Sequence, residues 1–333
     1  MILHPSVLAL VTGSLLISYM LLYSSCYGLK IVLKWDLKSG SELQLQLERK
    51  TYLISTIVAY AFGFQLISLF LFIYTADDLC TLLVGAMCAA GTLNANQFGY
   101  PTLALKVLNF LLAGIWLVLN FADNRARDYP LIRKKYILLL LITPLVLAET
   151  VLQARYFLDL EPNVITSCCG SLFSPEAKGP GPEMTALRTG PVKAVYYSCL
   201  ALTFASGAYF YLKEKGGYLF SFMSASAFFI SVAALISFIS LYFYELPTHR
   251  CPFCILQKEY GHVGYPLYLA LLGGAVSGMG AGALMPFRKT GSLTEVIPRL
   301  QRRLVLVSMG CYLVFAAITA YRMIFSSFIL EGY

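Results

Sequence analysis

A chain of 333 residues that is 58% apolar and only 13% charged has too little polar residue to cover a soluble domain of its size, and its apolar runs of about twenty residues have the length that crosses hydrocarbon as a helix. The net charge of +8 does not point to nucleic acid, because the basic residues are confined to loops between the apolar runs. With few histidines inside those runs, a bis-histidine haem protein is excluded as well.

Runs with few charges predict eight membrane-spanning helices, at roughly 6–29, 52–74, 100–121, 136–156, 194–212, 218–243, 262–286 and 304–326. The first run lacks a basic stretch before it and reads as a retained span rather than a cleaved leader. Lys30, Lys34, Lys38, Arg49 and Lys50 follow span 1, and Arg125, Arg127, Arg133, Lys134 and Lys135 follow span 3. Lys213 and Lys215 follow span 5, and Arg288, Lys289, Arg299, Arg302 and Arg303 follow span 7. The positive-inside rule places these four loops in the cytoplasm, and both termini with the loops after spans 2, 4 and 6 outside. The one long outer loop, 157–193, carries a Pro- and Gly-rich stretch that predicts irregular backbone.

Two outer loops enter the next helix with the same words: QFGYPTLALKVL at 97–108 and HVGYPLYLALLG at 262–273, with the GYP motifs 165 residues apart. The parallel continues in YPLIRKKY (129–136) against VIPRLQRRL (296–304), and in LQARYF (152–157) against TAYRMIF (319–325). Proline suits a first helical turn and tyrosine a membrane interface, so one motif alone says little. Together they predict an all-α integral membrane protein of eight transmembrane helices. It reads as a tandem repeat of two four-helix units, 1–165 and 166–333, with both termini extracytoplasmic.

Three of the nine cysteines, Cys26, Cys199 and Cys311, fall inside spans. The other six, Cys80, Cys88, Cys168, Cys169, Cys251 and Cys254, fall in the outer loops or at their edges, where an oxidising compartment favours disulfides and their exchange. Cys251 and Cys254 form a C-x-x-C that reads as the start of a long apolar helix, with Arg250 before it and Lys258 after it. A helix N-terminus and nearby cations lower a thiol pKa, which favours the attacking thiolate. A structural disulfide and a metal site that includes His249 stay open, although a two-residue spacer closes too small a ring to restrain the unfolded chain much. Cys168 and Cys169 are adjacent, so a bond between them would be strained and easily reduced; such a pair also suits soft metals.

The segment CPFCILQK (251–258) resembles the C-x-x-C-x-x-(Gln/Glu)-Arg signature of the DsbB disulfide oxidases. Those four-helix membrane proteins pass electrons from a thioredoxin-like partner through two cysteine pairs to a quinone. The segment CTLLVGAMC (80–88) is similar in spacing to the loop of the related vitamin K epoxide reductase family, and NANQFGYP (94–101) falls where that family has a polar residue beside the quinone. The resemblance implies that Cys251 and Cys254 are the quinone-proximal pair, and that Gln257, Lys258 and Asn94 contact the quinone. Lysine at 258 departs from the family's arginine and lacks its planar fork. Cys80, Cys88, Cys168 and Cys169 would exchange electrons with an extracytoplasmic thioredoxin-like protein.

Charges inside the membrane are costly and mark function by default. Lys106 and Glu149 lie seven residues from the outer ends of spans 3 and 4, at matched depth, and are expected to pair near a quinone headgroup or to route its proton. Arg155 and Arg322 end spans 4 and 8 and are expected at headgroups or at two related sites. The sequence thus predicts a thiol–disulfide oxidoreductase of the bacterial inner membrane that uses ubiquinone or menaquinone. A soft-metal transporter and a non-catalytic membrane subunit are the alternatives.

Overall fold

The computed structural model describes residues 3–35, 41–126, 128–161, 166, 189–247, 249–326 and 328, and these are helical with no strand among them. The long helices are α1 (Pro5–Lys34), α2 (Glu42–Asp78), α4 (Gly99–Asp123), α5 (Ile132–Leu158), α6 (Thr189–Lys213), α7 (Gly217–Ala234), α8 (Gly264–Ala283) and α9 (Val296–Phe325); α3 is the short Ala89–Leu93. Each of the eight predicted spans falls on one of them. Among the described residues, seven stretches are both long and apolar enough to cross a membrane: Pro5–Lys34, Gln44–Leu82, Gly99–Asp123, Ile132–Leu158, Gly217–Tyr244, Gly264–Phe287 and Val296–Phe325. The fifth predicted span lies on α6, which has the length, but Tyr196, Tyr197, Tyr209, Tyr211 and several hydroxyl residues dilute its hydropathy below that of the others.

Packing divides the chain into two units. The first comprises Met1–Thr75, Asn96–Glu161 and Pro286–Leu300, and the second Ala76–Ala95, Pro162–Met285 and Gln301–Tyr333. The Cys80–Cys88 loop therefore packs with the C-x-x-C segment, in the second unit.

The first unit is held by a zipper between α1 and α5. Pro5 occupies the first turn of α1, where its missing N–H costs nothing. The buried positions of α1 are Val7, Leu10, Ser14, Ile17, Ser18, Leu21, Ser24, Gly28 and Ile31, and apart from Ser18, which adjoins Ile17, they are spaced alternately three and four residues apart. That spacing keeps one stripe facing a partner helix over the whole length. α5 answers antiparallel: Ser18 Oγ meets Thr150 Oγ1 at 2.8 Å, Ser25 Oγ meets Thr143 Oγ1 at 2.7 Å, and Gln153 Nε2 donates to Ser14 Oγ at 3.0 Å. Small residues let the backbones approach, and a Cβ on Gly28 would already touch Tyr136 Cδ1 at 3.0 Å. In a membrane such hydrogen bonds average about 0.6 kcal/mol each, so close packing along the stripe supplies most of the attraction.

In the second unit the close approach lies between α7 and α8. Gly274, Gly278 and Gly282 recur every fourth residue on α8. A Cβ on Gly278 would stand 2.0 Å from Ser224 Oγ, and one on Gly282 would stand 2.3 Å from Ser221. Ser224 and Ser308 both donate to the Gly274 carbonyl, at 3.3 and 2.7 Å, which ties α7 and α9 to the glycine face of α8. α7 continues through a π turn (Leu235–Ile239) and Ser240–Tyr244, then stops at Glu245 with φ of 54°.

Candidate functional site: a buried cluster of three thiols

The end of α2 and the loop behind it set up the site. Asp77 stands in the last turn of α2, and its Oδ1 accepts the Ala89 backbone N–H at 3.1 Å and the Gln257 side-chain amide at 3.2 Å. Gln257 Nε2 also donates to the Met87 carbonyl at 2.8 Å. One carboxylate and one amide thus join the residues on either side of Cys88 to the segment after Cys254. From the other side, the hydroxyl of Tyr244 donates to the Cys251 carbonyl, and Tyr268 donates to the Pro252 carbonyl at 2.6 Å.

The result is a cluster of sulfurs drawn from distant parts of the chain. Cys88 Sγ lies 3.6 Å from Cys251 Sγ across 163 residues of sequence, and the sulfurs of Cys88, Cys251 and Cys254 all lie within 4.8 Å of one another. All three residues are buried. The separation exceeds a disulfide bond of about 2.05 Å but is within thiol contact distance. Cys80 is buried in the 3-10 turn Leu79–Leu82 of the same loop. Beyond it, Gly85 has φ of 85°, and a Cβ there would fall 2.3 Å from the Thr166 carbonyl oxygen. Thr166 N–H in turn donates to the Val84 carbonyl at 3.0 Å. Cys168 and Cys169 lie outside the described residues.

The C-x-x-C does not open a long helix, contrary to expectation. Cys254–Leu256 and Lys258–Tyr260 are two separate 3-10 turns, Gly261 and His262 are left-handed, and α8 begins only at Gly264. The motif is wedged beneath the helix start, with Leu256 packed so closely on Gly264 that a Cβ there would lie 2.8 Å from Leu256 Cδ2. A three-residue turn sums little dipole, so that route to a lowered thiol pKa is withdrawn. His249 is the titratable neighbour instead: burial lowers its imidazole below the ordinary value, and the Cys88 sulfur acts in the opposite sense. Its ring packs edge-on against Tyr244 at 4.2 Å.

The remaining predicted residues distribute as follows. Gln257 makes the bridge just described, while Lys258 and Asn94 are exposed, Asn94 at the end of α3. Arg322 lies over the Phe243 ring at 5.5 Å. These belong to the second unit. In the first unit Arg155 is exposed, and Lys106 Nζ meets Glu149 Oε1 at 2.7 Å with both side chains buried. Glu149 Oε2 also accepts amide donors from Asn109, at 2.6 Å, and from Gln65, while Lys106 donates to Ser68 Oγ at 3.1 Å. The GYP motifs do open the two long helices α4 and α8.

Sequence reasoning missed Asp77, Tyr244, Tyr268, Gln65 and Asn109. Asp77 carried the only usable signal, a carboxylate at the end of an apolar run just before CTLLVGAMC. The first unit also has a partly open pocket of about 200 Å³ beside Trp35, Glu48, Tyr52, Asp128 and Lys135, at the end that carries the basic loops. In comparisons with protein-family models, with curated proteins and with solved structures, nothing matches this chain.

Proposed function

We propose that this chain is a membrane thiol–disulfide oxidoreductase that exchanges electrons between extracytoplasmic cysteine pairs and a membrane quinone, ubiquinone or menaquinone. The observation that carries the reading is the 3.6 Å contact between Cys88 and Cys251, with Cys254 beside them. Three neighbouring thiols are the minimum for intramolecular exchange: an attacking sulfur, a central sulfur and a leaving sulfur. The same reading holds that eight helices span a bacterial inner membrane as two four-helix repeats, with both termini and the six outer cysteines on the extracytoplasmic side. The basic loops support that orientation.

In the oxidising direction Cys251 and Cys254 would give up two electrons and two protons and close a Cys251–Cys254 disulfide, a quinone held beside Lys258 supplying the oxidising power and leaving as quinol. The Cys88 thiolate attacks Cys251 Sγ, a Cys88–Cys251 bond forms, and Cys254 leaves as the thiolate. Cys80 then attacks Cys88, releasing Cys251 and closing a Cys80–Cys88 disulfide. An extracytoplasmic dithiol of the thioredoxin-like class reduces that bond and is itself oxidised, so two electrons pass per cycle. Asp77 and Gln257 act as positioning residues, since they hold the Cys88 loop against the C-x-x-C. Lys258 is assigned to the quinone headgroup as a point charge.

The test is quinone-dependent oxidation of a reduced dithiol by the full chain in liposomes. Cys251→Ser and Cys88→Ser should each abolish turnover. Cys80→Ser, which removes the thiol that resolves it, should let the Cys88–Cys251 bond accumulate as a species resolved by non-reducing mass mapping. Normal turnover in Cys251→Ser would remove the assignment.

A further inference from the structure

The sulfur cluster has a second chemical competence that does not depend on electron transfer. Three thiolates around one cation at a metal–sulfur distance of about 2.3 Å sit about 3.8 Å apart in tetrahedral geometry. The Cys88–Cys251 separation is 3.6 Å, and no pair in the cluster exceeds 4.8 Å, so the reduced sulfurs already stand within about 1 Å of that spacing. They come from two segments that Asp77, Gln257, Tyr244 and Tyr268 hold in place, so the ligands are preassembled by outer hydrogen bonds.

We propose that the reduced Cys88–Cys251–Cys254 cluster is a binding site for a thiophilic divalent d10 cation, with zinc and cadmium as its class. Charge favours the divalent ion. Three thiolates around a 2+ cation leave one net negative charge, whereas a monovalent ion would leave two in a buried site. Binding releases up to three protons from the thiols to water and changes no oxidation state. Any disulfide within the cluster removes two ligands at once, so metal binding and thiol oxidation exclude each other. The site is therefore a metal trap that only the reduced chain offers.

The experiment uses the full chain with Cys26, Cys80, Cys168, Cys169, Cys199 and Cys311 replaced by Ser, reduced and titrated anaerobically in detergent with Cd(II). The expected result is one ion per chain, an ultraviolet thiolate-to-cadmium charge-transfer band, and three sulfur neighbours in X-ray absorption. Adding Cys88→Ser should weaken binding by at least about 100-fold, since loss even of outer-shell partners costs 10–100-fold. Absence of the band in a chain that is monodisperse and helical by circular dichroism, or a band that survives Cys88→Ser, would overturn the proposal. No quinone or dithiol partner is present, so this outcome is independent of the redox reading: cadmium binding without quinone-dependent turnover would sink that reading alone.

Discussion

Lys106 of α4 and Glu149 of α5 meet at 2.7 Å with side chains 0% and 1% exposed. A second crossed pair, Asp123 of α4 and Lys135 of α5, meets at the same distance lower on the same two helices. The cation is on α4 in one pair and on α5 in the other, so each helix carries one charge of each sign on its buried face. A shift of either helix by one turn would pull both pairs apart and leave four buried charges without their partners, so the two pairs fix the hairpin's register.

Breaking one partner should therefore hurt more than removing both. Glu149→Gln leaves the Lys106 ammonium buried against neutral amides and is expected to cost about 3–5 kcal/mol, as for buried pairs elsewhere. The double change Lys106→Met with Glu149→Met should recover most of that loss. Thermal unfolding in detergent, followed by circular dichroism, measures both. A double variant no more stable than Glu149→Gln would show that Gln65, Asn109 and Ser68 depend on the charges for their own arrangement.

Asp77 predicts a graded effect on the thiol contact. Asp77→Ala removes the acceptor shared by the Ala89 N–H and the Gln257 amide, two hydrogen bonds worth about 0.5–1.5 kcal/mol each. The Cys88 loop should then stray from Cys251, and the rate of Cys88–Cys251 crosslinking by a mild oxidant should fall about 10-fold if about 1.4 kcal/mol of positioning is lost. Asp77→Asn keeps one oxygen acceptor and should restore most of the rate. Equal loss in both variants would mean that the negative charge, rather than the acceptor, places the loop.

Gly85 is predicted to be intolerant of any side chain. Its φ of 85° costs other L-residues about 1–2 kcal/mol, and the Thr166 carbonyl 2.3 Å from the Cβ position leaves no room. Gly85→Ala should release the Val84–Thr166 hydrogen bond, which hydrogen exchange at the Thr166 amide reports directly. Undiminished protection at that amide would refute this account.

The glycine face of α8 allows a compensating pair. Gly278→Ala drives a methyl into Ser224 Oγ and should destabilise the second unit by about 1–3 kcal/mol through overpacking. Ser224→Gly alone removes the donor to Gly274 and frees a volume of similar size. The double variant should be more stable than the sum of the single changes, and a double-mutant cycle on thermal unfolding tests this.

The sequence and the structure agree best where lipid imposes the rule. Twenty apolar residues must form a helix in hydrocarbon, so every predicted span lies on one. The Lys106–Glu149 contact was also legible, because a charge at membrane depth demands a partner at the same depth. The α1–α5 stripe was not, since leucines that face lipid and leucines that face a helix score alike, and the stripe is marked by Ser14, Ser18, Ser24 and Gly28 instead. The cysteine cluster was half legible. Spacing singled out Cys251, Cys254, Cys80 and Cys88, but no local pattern brings Cys88 to Cys251 across 163 residues, and the short turns after Cys254 are hidden by the helical character of the residues that follow.

The zipper of α1 with α5 also has a bearing on biogenesis. As the nascent chain emerges from the amino end, α1 is complete almost a hundred residues before its counterpart begins to leave the ribosome. Its serines must meanwhile sit in lipid or beside the insertion machinery, with only their own carbonyls to bond. Truncations that end after α4 should accordingly stay bound to chaperones or be cleared by membrane proteases, whereas extending them through Leu158 should release a protease-resistant species.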